Sequence, residues 1–598
     1  MSNNNATKGK VRGIIANLVL VKADGPFMQN EICYIIRNEV KLMAEVIKAI
    51  GDVAYVQVFE NTNGIKSGAD VVFSGHLLEA TLGPGILSSN YDGLLHNLST
   101  MTGIFIQPGD YTDTIDIEKE WYFTPTIQIG KRVQAGDWLG HVTEKSLIHR
   151  IMIPFIIEGF YTLKDIVAEG SYKASETIAI LVNDKGKEFT VTMVQKWPVK
   201  KAITCFNEKP RPFKLMETGI RTIDIMSPML MGGTGFIPGP FGSGKTVLQQ
   251  GIARQAEADV VIIAACGERA NEIVETFTEF PKLDDPWTGK KLMERTVIIA
   301  NTSNMPVASR EASIYSAMTI GEYYRAMGHN VLLLADSTSR WAQALREMSN
   351  RMEELPGPDA FPMDLPAIIS NYYSRAGYVK LNNGEAGSVT FIGTVSPAGG
   401  NLKEPVTEAT KKAARCFYAL SQNRADSKRY PALDPVESYS KYLEYQEFRK
   451  NIEDDLGGDW TAKVTKLKNY LRKGVECADQ ISILGDDGVA LETHVQYWHA
   501  EVIDNVLLQQ DAFDLIDART PQERQKFMVN HILATLEAEH VFESFEDVRP
   551  FFKKIINIYK QMNYKSFKTE EFEQFRSSLE ALIDEKNNHN TSKIDSVV

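Results

Sequence analysis

The chain has 598 residues, too many for one hydrophobic core, so its length predicts about four domains. A hydrophobic content of 43% with 24% charged residues is typical of soluble globular proteins. The 65 basic and 77 acidic residues leave a net charge of −12, which argues against nonspecific binding to nucleic acid or anionic lipid. No apolar run approaches the roughly 18–20 residues that span a bilayer, and the polar start lacks the apolar segment of a signal peptide.

Cysteine usage predicts a reduced, cytoplasmic protein. The five cysteines form no C-x-x-C pair and no zinc-ligand spacing: Cys33, Cys205, Cys266, Cys416 and Cys477. The ten histidines show no ligand spacing either, so a structural transition metal is not expected. Any association with a membrane is therefore expected to come through other subunits.

Residues 1–78 are predicted to form an N-terminal β-barrel. Their short apolar runs, at Ile14–Val21, Val53–Phe59 and Val71–Phe73, are separated by turns rich in Gly, Asn and Asp. Residues 79–117 are expected to connect this barrel to a later core, with a loop and a short helix at Leu82–Leu95.

A second β-rich block follows at 118–194. Within it, Val133–Gly140 predicts a tight hairpin corner with Gly136-Asp137 at the turn. The region 195–435 then alternates strands and helices. Its continuous apolar runs are typical of strands buried on both faces of a parallel sheet, and its helices lack interior proline. The predicted strands are Gly235–Pro238, Val260–Ala265, Thr296–Ala300 and Val331–Ala335, and the predicted helices are Thr246–Ala256 and Pro306–Met327.

This alternation predicts an α/β domain with helices on both faces of the sheet. The remainder, 436–598, is predicted to be a C-terminal helical domain. Thr520-Pro521-Gln522-Glu523 has the pattern of a helix capping box. The segment Asn587–Val598 has little to bury and predicts a disordered tail.

The segment Gly239–Thr246 reads Gly-Pro-Phe-Gly-Ser-Gly-Lys-Thr, the pattern of a phosphate-binding loop. Its glycines allow a tight curl in which successive N–H groups point at an anion. Lys245 supplies a charge for the β- and γ-phosphates, and Thr246 a hydroxyl for Mg²⁺. The helix that begins here directs its positive end at the same phosphates. An ordinary glycine-rich turn is the alternative, but the flanking strand and helix argue against it.

Two carboxylates follow predicted strands. Asp336 lies where such folds place a carboxylate that reaches Mg²⁺ through water, although Asp is also common at helix N-caps. Glu268, in Cys-Gly-Glu-Arg, could polarise a water in line with the γ-phosphate. The alternative for Glu268 is a surface carboxylate in the Glu-rich helix that follows. The neighbouring phosphate loop favours the chemical role for both residues.

Three further residues are weaker candidates. Arg269 and Arg340 could each contact the γ-phosphate, although arginines are more often solvated or paired on surfaces. Tyr430, in Arg-Tyr-Pro-Ala, could stack on a purine base, although an aromatic before proline is more often plain packing.

Several long motifs together resemble the catalytic A subunit (alpha chain) of V/A-type rotary ATPases and ATP synthases. They are the phosphate loop, CGERANE, the run Asn301–Glu347, LGPGILSSNYDG (82–93), QKWPV (195–199) and EPVTEAT (404–410). The resemblance covers most of residues 80–435 and implies a RecA-like nucleotide-binding core. The block at 118–194 matches in position the extra domain of this subunit. Ser243 stands where eukaryotic relatives commonly carry cysteine, which suggests a prokaryotic type.

The resemblance also implies roles for single residues. Glu268 would activate water, with Lys245 and Arg269 as the other catalytic residues, and Thr246 and Asp336 would bind Mg²⁺, the latter through water. The residues implied in binding ATP or ADP are Gly239, Pro240, Phe241, Gly242, Ser243, Gly244, Lys245, Thr246, Val247, Arg340 and Tyr430.

The implied assembly is a hexamer that alternates with a non-catalytic B-type subunit, which would supply an arginine finger. The implied partners are central stalk subunits and a membrane sector that moves protons or sodium ions, on the cytoplasmic face. Pro356–Pro362 sits where the family has a loop facing the stalk. A non-catalytic ring subunit, a hexameric secretion ATPase and an RNA-translocating helicase remain alternatives. The intact site residues argue against the first, and the insertion and acidic charge against the other two.

Overall fold

The structure is a computed structural model that describes residues 7–101, 109, 111–240 and 242–594, except the side chains of 398 and 586–594. None of the helices within these ranges is both long and apolar enough to cross a membrane.

The N-terminal region is a closed six-stranded barrel, as the apolar runs predicted. Its strands are β1 Lys8–Ile15, β2 Leu18–Ala23, β3 Glu31–Arg37, β4 Val40–Ile50, β5 Val53–Val58 and β6 Asp70–Leu77, in the order β1-β2-β5-β4-β3-β6. Alternate side chains fill the interior, among them Val19, Val56 and Phe73. The run Ile14–Val21 is divided between β1 and β2, because Ala16 adopts a left-handed φ of 53° at the hairpin turn.

The connection after the barrel holds two short strands, β7 Glu79–Leu82 and β8 Asn90–Tyr91. The short helix predicted within Leu82–Leu95 is wrong. The backbone there turns through Gly83-Pro84-Gly85, and β8 then pairs in parallel with Ile298 and Ile299 at the edge of the core sheet. Because this pairing joins residues about two hundred positions apart, no local pattern announces it.

The block that follows forms two four-stranded antiparallel sheets. Its strands are β9 Glu120–Pro125, β10 Arg132–Val133, β11 Trp138–Glu144, β12 Leu147–Met152, β13 Tyr161–Ile166, β14 Gly170–Lys173, β15 Ala179–Asn183 and β16 Glu188–Val191, and their sheet orders are β10-β13-β15-β16 and β12-β11-β9-β14. The hairpin predicted at Val133–Gly140 is wrong. A turn does lie there, with Gly136 at a φ of 84°, but β10 and β11 belong to different sheets, so the turn is a corner between them.

Strand β17 Gln195–Pro198 pairs with β7 in a separate two-stranded sheet. The chain then enters a nine-stranded sheet that also includes β8. The other eight strands of this sheet are β18 Thr234–Pro238, β19 Val260–Glu268, β20 Thr296–Thr302, β21 Asn330–Asp336, β22 Gly377–Lys380, β23 Ala386–Val395, β24 Cys416–Phe417 and β25 Tyr439–Ser440. The order is β25-β24-β18-β23-β21-β19-β20-β8, and β22 pairs with β23. The six neighbouring pairs from β24 to β8 are parallel, as the buried apolar runs predicted.

The helices of this α/β core are α1 Lys245–Gln255, α2 Ala270–Glu279, α3 Val307–Ala326, α4 Thr338–Arg351, α5 Leu365–Arg375, α6 Pro405–Ala413 and α7 Gln422–Asp426. The predicted helices at Thr246–Ala256 and Pro306–Met327 are thus confirmed as α1 and α3. All of the twenty residues of α3 except Arg310 and Tyr315 are buried, so this helix lies inside the molecule rather than on its surface.

The C-terminal region is helical, with α8 Gln446–Leu456, α9 Trp460–Leu484, α10 Leu491–Val502, α11 Gln522–Glu537, α12 Phe545–Asn563 and α13 Glu570–Ile594. Two π-helical segments, Thr222–Met226 and Ile503–Leu508, lie before the phosphate loop and after α10. Short 3₁₀ turns occur at Leu98–Thr100, Phe280–Lys282, Leu292–Arg295, Pro358–Ala360, Ala398–Gly400, Lys441–Glu444 and Asp486–Gly488.

Two predictions in this region are wrong. The disordered tail predicted from Asn587 falls inside α13, whose backbone is helical to Ile594, while residues 595–598 lie outside the described residues. The capping box at Thr520 does not form, because Pro521 occupies the N-cap of α11 without a side-chain cap. The Thr520 hydroxyl instead accepts a hydrogen bond from Arg221, at 3.0 Å.

Helix α3 is joined to the β-rich block by a buried polar cluster. His149 lies between Glu144, at 2.6 Å, and the hydroxyl of Tyr323, at 2.9 Å. The other oxygen of Glu144 accepts the N–H groups of Gly85 and Leu87. Burial alone would raise the pKa of Glu144, but His149 and these N–H groups outweigh it and lower the pKa. The cluster therefore ties three segments of the chain around one carboxylate.

Helix packing in the C-terminal domain yields a test at a glycine. A Cβ on Gly474 of α9 would lie 2.1 Å from Cβ of Ala500 in α10, whereas a Cβ on Gly321 of α3 would meet its nearest atoms at 3.6 Å. Alanine in a helix interior normally gains about 1 kcal/mol over glycine, but overpacking costs about 1–3 kcal/mol. We expect Gly474→Ala to lower the thermal unfolding temperature and the matched Gly321→Ala to leave it equal or higher, as measured by circular dichroism. Equal stability of both variants would contradict the α9–α10 packing.

Candidate nucleotide site

The predicted phosphate loop lies between β18 and α1, at the carboxyl end of its strand. Gly242 and Gly244 have φ values of 81° and 89°, and a Cβ at either would meet nothing within 4 Å. Backbone conformation rather than crowding therefore requires glycine at both positions. Gly239 is different, since its Cβ would lie 2.7 Å from Oγ of Ser243 and 2.8 Å from Cβ of Leu420. The predicted contact Phe241 lies outside the described residues.

Two side chains of the loop differ in position: Ser243 supports the loop from inside, and Lys245 lies over it. Ser243 is buried and donates to the carbonyl of Pro240 at 2.8 Å, so it braces the loop from inside. Lys245 donates its Nζ to the carbonyls of Gly239, at 2.7 Å, and Pro240, at 3.1 Å. Burial lowers the pKa of Lys245, against the attraction of Asp336 and Glu268. Its ammonium thus lies over the loop with only neutral carbonyls as direct partners among the described atoms, a position from which an anion could draw it.

Two carboxylates end neighbouring strands beside this loop. Asp336 is the last residue of β21 and pairs in register with Ala265 of β19, the strand that ends at Glu268. Oδ2 of Asp336 lies 3.5 Å from the Thr246 hydroxyl, and Oδ1 accepts the Thr394 hydroxyl at 2.5 Å. The N-cap of α4 is Ser337, so Asp336 is not the helix cap that the alternative assigned to it.

A glycine bulge places Glu268. The pairing of β19 with β20 shifts register between Cys266 and Glu268, at Gly267, whose φ is 72°. A Cβ on Gly267 would lie 2.9 Å from Cδ of Arg310 and 3.1 Å from Cβ of Arg340. Only glycine fits this corner, which ends the strand with Glu268 at the carboxyl edge of the sheet.

The electrostatic environment of Glu268 is unfavourable for a charge. Burial, followed by repulsion from Asp336 and a hydrogen bond with Glu272, raises the pKa of Glu268 to about 8, and Arg340 opposes this rise only in part. Burial likewise raises the pKa of Asp336. Thr246, Glu268, Glu272 and Asp336 line one cleft of about 50 Å³. Several acidic groups therefore converge in one partly buried cleft.

The two predicted arginines lie beside this cleft rather than in it. Arg269 occupies the N-cap of α2, directly after Glu268. Arg340 lies in the first turn of α4 and donates Nη1 to Gln343 at 3.2 Å. Among the described residues, neither arginine lines the cleft or the larger cavity nearby.

That larger cavity, of about 650 Å³, also borders the loop. Gly242–Gly244 and Val247 form one wall, Tyr430 and Pro431 a second, and the loop around Phe513 a third. Tyr430 is 47% exposed and Phe513 is 87% exposed, so both residues are accessible from the cavity. Phe513 is thus a second aromatic residue in the cavity that contains Tyr430, the predicted base contact.

Sequence reasoning missed Phe513 and Glu272. Phe513 stands in Gln-Gln-Asp-Ala-Phe-Asp, where an aromatic among acidic residues in a loop is the signal. Glu272 lies in the first turn of α2, four residues after the end of β19 at Glu268, so the short strand-to-helix turn brings the two carboxylates together. Neither signal was decisive without the tertiary arrangement.

Three family models match the chain. They are the ATP synthase alpha/beta nucleotide-binding domain at residues 219–440, the ATP synthase alpha/beta subunit barrel-sandwich domain at 112–200, and the ATP synthase alpha/beta β-barrel domain at 11–75. V-type ATP synthase alpha chains align with nearly the whole sequence. Those of Treponema denticola and Borrelia hermsii are each 46% identical, over 97% of this chain and 97% and 98% of theirs.

The chain belongs to the V-type ATP synthase alpha-chain family. A further member, V-type ATP synthase alpha chain 1 of Treponema pallidum, is 44% identical over 99% of this chain and 98% of its own length. The resemblance predicted from the motifs is therefore confirmed, as is the multidomain α/β fold with barrel, inserted β-rich domain, phosphate-loop core and helical end. As a V-type alpha chain with this domain, the protein binds nucleotide and functions in a complex with other subunits. The roles of the single site residues stay predictions.

The raised pKa of Glu268 predicts a pH-dependent stability. Between its ordinary value of 4.5 and the folded value of about 8, the folded chain holds a proton that the unfolded chain has lost. Stability therefore falls across this interval as pH rises. We expect the nucleotide-free Glu268→Gln variant to exceed the wild type in unfolding temperature by a margin that grows over this interval. The exposed Glu275→Gln, on helix α2 that follows Glu268, should give a constant difference. A margin for Glu268→Gln that does not change with pH would contradict the burial argument.

Proposed function

We propose that this chain is the catalytic subunit of a V-type rotary ATPase, which hydrolyses or synthesises ATP with Glu268 as the residue that positions water. The observation that carries the proposal is that Glu268 and Asp336, at the carboxyl ends of two neighbouring strands, share one cleft with Thr246 of the phosphate loop. A phosphate cradle, a metal-binding pair of oxygens and a carboxylate are three of the parts that phosphoryl transfer requires.

Phosphate binding falls to the loop and the helix behind it. The N–H groups of the described loop residues and of the first turn of α1 are proposed to donate hydrogen bonds to phosphate oxygens. The first turn of α1 contains no acidic residue that would oppose an anion. Lys245 is proposed to leave the carbonyls of Gly239 and Pro240 and bind the β- and γ-phosphates.

The donor set next to the loop fits Mg²⁺. The hydroxyl of Thr246 and the carboxylate of Asp336 are hard oxygen ligands 3.5 Å apart, and this ion prefers such ligands together with water and phosphate. When bound with ATP or ADP, Mg²⁺ would neutralise charge on the phosphate oxygens. We assign Thr246 to direct contact and Asp336 to contact through water, oriented by the Thr394 hydroxyl.

Glu268 is proposed to accept a hydrogen bond from the attacking water and to withdraw its proton during hydrolysis. This role requires the ionised carboxylate, which the acidic surroundings disfavour in the nucleotide-free chain. The positive charge of Arg340 already acts in the required direction, and further cations near the cleft would act in the same sense. Arg269 and Arg340 are proposed as contacts for the γ-phosphate from their positions beside the cleft.

The large cavity is proposed to hold the adenine base. Tyr430 and Phe513 offer aromatic faces on two of its walls, and Val247 adds apolar surface next to the loop. Stacking on such faces favours a planar purine. Because the base cavity and the phosphate loop share Gly242–Gly244, one nucleotide could occupy both.

The partners belong to the proposal as well. Half-exposed site residues, such as Tyr430 and Val247, support coverage by a neighbouring subunit, which we take to be a B-type subunit that donates an arginine finger in an alternating hexamer. Leu355 and Met363, 81% and 72% exposed, flank the predicted stalk-facing loop Pro356–Pro362 and support an apolar contact with a central stalk. Proton or sodium transport would occur in a membrane sector of other subunits, with this chain on the cytoplasmic face.

The first test compares MgATP turnover of the wild type and Glu268→Gln in the complex with its partner subunits. The substitution removes charge and keeps shape, so we expect nucleotide binding to be retained and turnover to fall by about two to four orders of magnitude. Glu275→Gln, exposed on helix α2 that follows Glu268, is the matched control and should keep full turnover. Unchanged turnover in Glu268→Gln would overturn the proposal, because hydrolysis would then occur elsewhere in the complex or depend on another residue of this chain.

The metal assignment has its own test. Asp336→Asn keeps the hydrogen bond with Thr394 possible but removes the negative charge, so a higher Mg²⁺ concentration should be needed for half-maximal turnover, by about tenfold. The titration is made with the nucleotide held saturating. An unchanged Mg²⁺ requirement would remove Asp336 from the metal site.

A further inference from the structure

The third wall of the base cavity is a loop without regular structure. It runs from the end of the π-helix Ile503–Leu508 to the start of α11 and carries Phe513 at its tip. Phe513 is 87% exposed, so packing of its own side chain does not hold it in place. Its position therefore depends on what holds the loop.

One side chain of the nucleotide core holds both ends of this loop. Arg221, fully buried directly before the π-helix Thr222–Met226, donates Nε to the carbonyl of Leu507 at 2.7 Å, and Nη2 to the carbonyl of Gln509. Its Nη1 donates to Oδ1 of Asp517 at 2.6 Å and to the Thr520 hydroxyl at 3.0 Å. The guanidinium thus bridges residues on either side of the tip.

The link continues from Asp517 to the tip. The second oxygen of Asp517 accepts the N–H of Asp511 at 2.8 Å, two residues before Phe513. On the far side of the tip, Oδ1 of Asp514 accepts the N–H groups of Ile516 and Asp517, at 2.8 and 2.7 Å. The carboxylates of Asp514 and Asp517 therefore hold the loop together through hydrogen bonds to its own backbone. Arg221 binds the carboxylate of Asp517, which connects the two ends of the loop.

Backbone contacts fix the same segment of the core to the loop. The N–H of Arg221 donates to Oε1 of Gln510 at 3.0 Å, and Nε2 of Gln510 donates to the carbonyl of Gly219 at 2.8 Å. Ile220, which lies between Gly219 and Arg221 in the sequence, lines the base cavity and faces Gly251 of α1. The segment that contains Arg221 therefore packs next to α1, the helix that begins at the phosphate loop.

The geometry suits arginine alone. Four acceptors surround a planar group with five N–H donors, and a lysine ammonium could not reach acceptors spread along both ends of a loop. A buried guanidinium is tolerated only when it is paired and hydrogen-bonded, and here it is. A side chain that served packing alone would not need acceptors on both ends of the same loop.

We propose that Arg221 is a positioning residue for nucleotide binding, which fixes the Phe513 wall of the base cavity to the nucleotide core. The base wall and the phosphate loop then keep a constant separation, so base and phosphates are bound together. This inference rests on the proposed function, because it assumes that a nucleotide base occupies the cavity.

The test uses Arg221→Met in the complex with partner subunits. The loop loses its anchor, so KM and the dissociation constant for MgATP should rise by about tenfold while kcat changes by less than about threefold. Tripolyphosphate, which carries phosphates and no base, should compete with wild-type affinity. Arg375→Met is the matched control, since Arg375 is also buried and paired with an acidic side chain, Glu322, but lines neither cavity among the described residues. It should leave the dissociation constant unchanged.

A double-mutant cycle separates positioning from general support. If Arg221 acts through Phe513, then Phe513→Ala should weaken MgATP binding, and adding Arg221→Met to it should weaken binding little further. Fully multiplicative effects, or an equal loss of tripolyphosphate affinity, would overturn the proposal. Should Arg221→Met fail to fold, Thr520→Val decides, since it removes one of the four acceptors and keeps the shape. It should raise the dissociation constant for MgATP by a smaller factor, of about two to five.

The two proposals fail in different ways. If the wild-type complex hydrolyses MgATP, Glu268→Gln does not, and both Arg221→Met and Thr520→Val bind MgATP as the wild type does, the anchor is wrong and the proposed function stands. If the wild type shows no turnover that depends on Glu268, the proposed function fails, whatever the anchor variants do.

Discussion

The burial of α3 is the constraint on which the arrangement of the domains depends. A helix enclosed on nearly all sides must find partners for its polar side chains within the protein, since no water reaches them. Its partners come from different parts of the chain. Glu311 pairs with Lys200 at 3.1 Å, Glu322 pairs with Arg375, and Tyr323 bonds His149 of the inserted domain. The inserted domain and the segment around Lys200 are thus each joined to the core through a specific polar group of one helix.

The nucleotide site follows from the same sheet that α3 covers. Parallel strands place all their carboxyl ends at one edge, so Glu268 and Asp336 meet although sixty-eight positions separate them in sequence. The bulge at Gly267 turns the end of the strand, and crowding by Arg310 and Arg340 excludes any larger residue. Acidic side chains brought together in this way repel one another. The site is therefore least stable when empty and becomes more favourable when cations enter it.

The sequence predicts much of this core because its signals are strong and local. Continuous apolar runs such as Val260–Ala265 identify buried parallel strands, and a glycine-rich loop between strand and helix has few alternatives. The carboxylates at the strand ends then follow from topology alone. Relatives aligned over 97% of the chain support the same family assignment.

What the sequence could not predict depends on distant partners. The strand Asn90–Tyr91 exists because Ile298 and Ile299 offer it a parallel edge, and the local pattern favoured a helix. Thr520 looks like a helix cap, but a buried guanidinium 299 positions away uses its hydroxyl instead. The exposure of Phe513 likewise has meaning only beside the cavity that it lines. Local secondary-structure propensity determines the conformation of such short segments only weakly, so contacts with distant parts of the chain override it.

The junction between barrel and core has a consequence for its response to salt. Lys200 lies between Glu45 of the barrel, at 2.9 Å, and Glu311 of α3. Burial raises the pKa of Glu45, and Glu311 adds to this rise while Lys200 opposes it. Burial works against the charge of Lys200, but the two carboxylates outweigh it and raise the pKa of the ammonium. Because Glu45 and Glu311 are both buried, mobile ions screen the attraction between the three groups less than they screen an exposed pair. The attachment of the barrel should therefore persist at ionic strengths that weaken exposed ion pairs such as Lys10–Asp70.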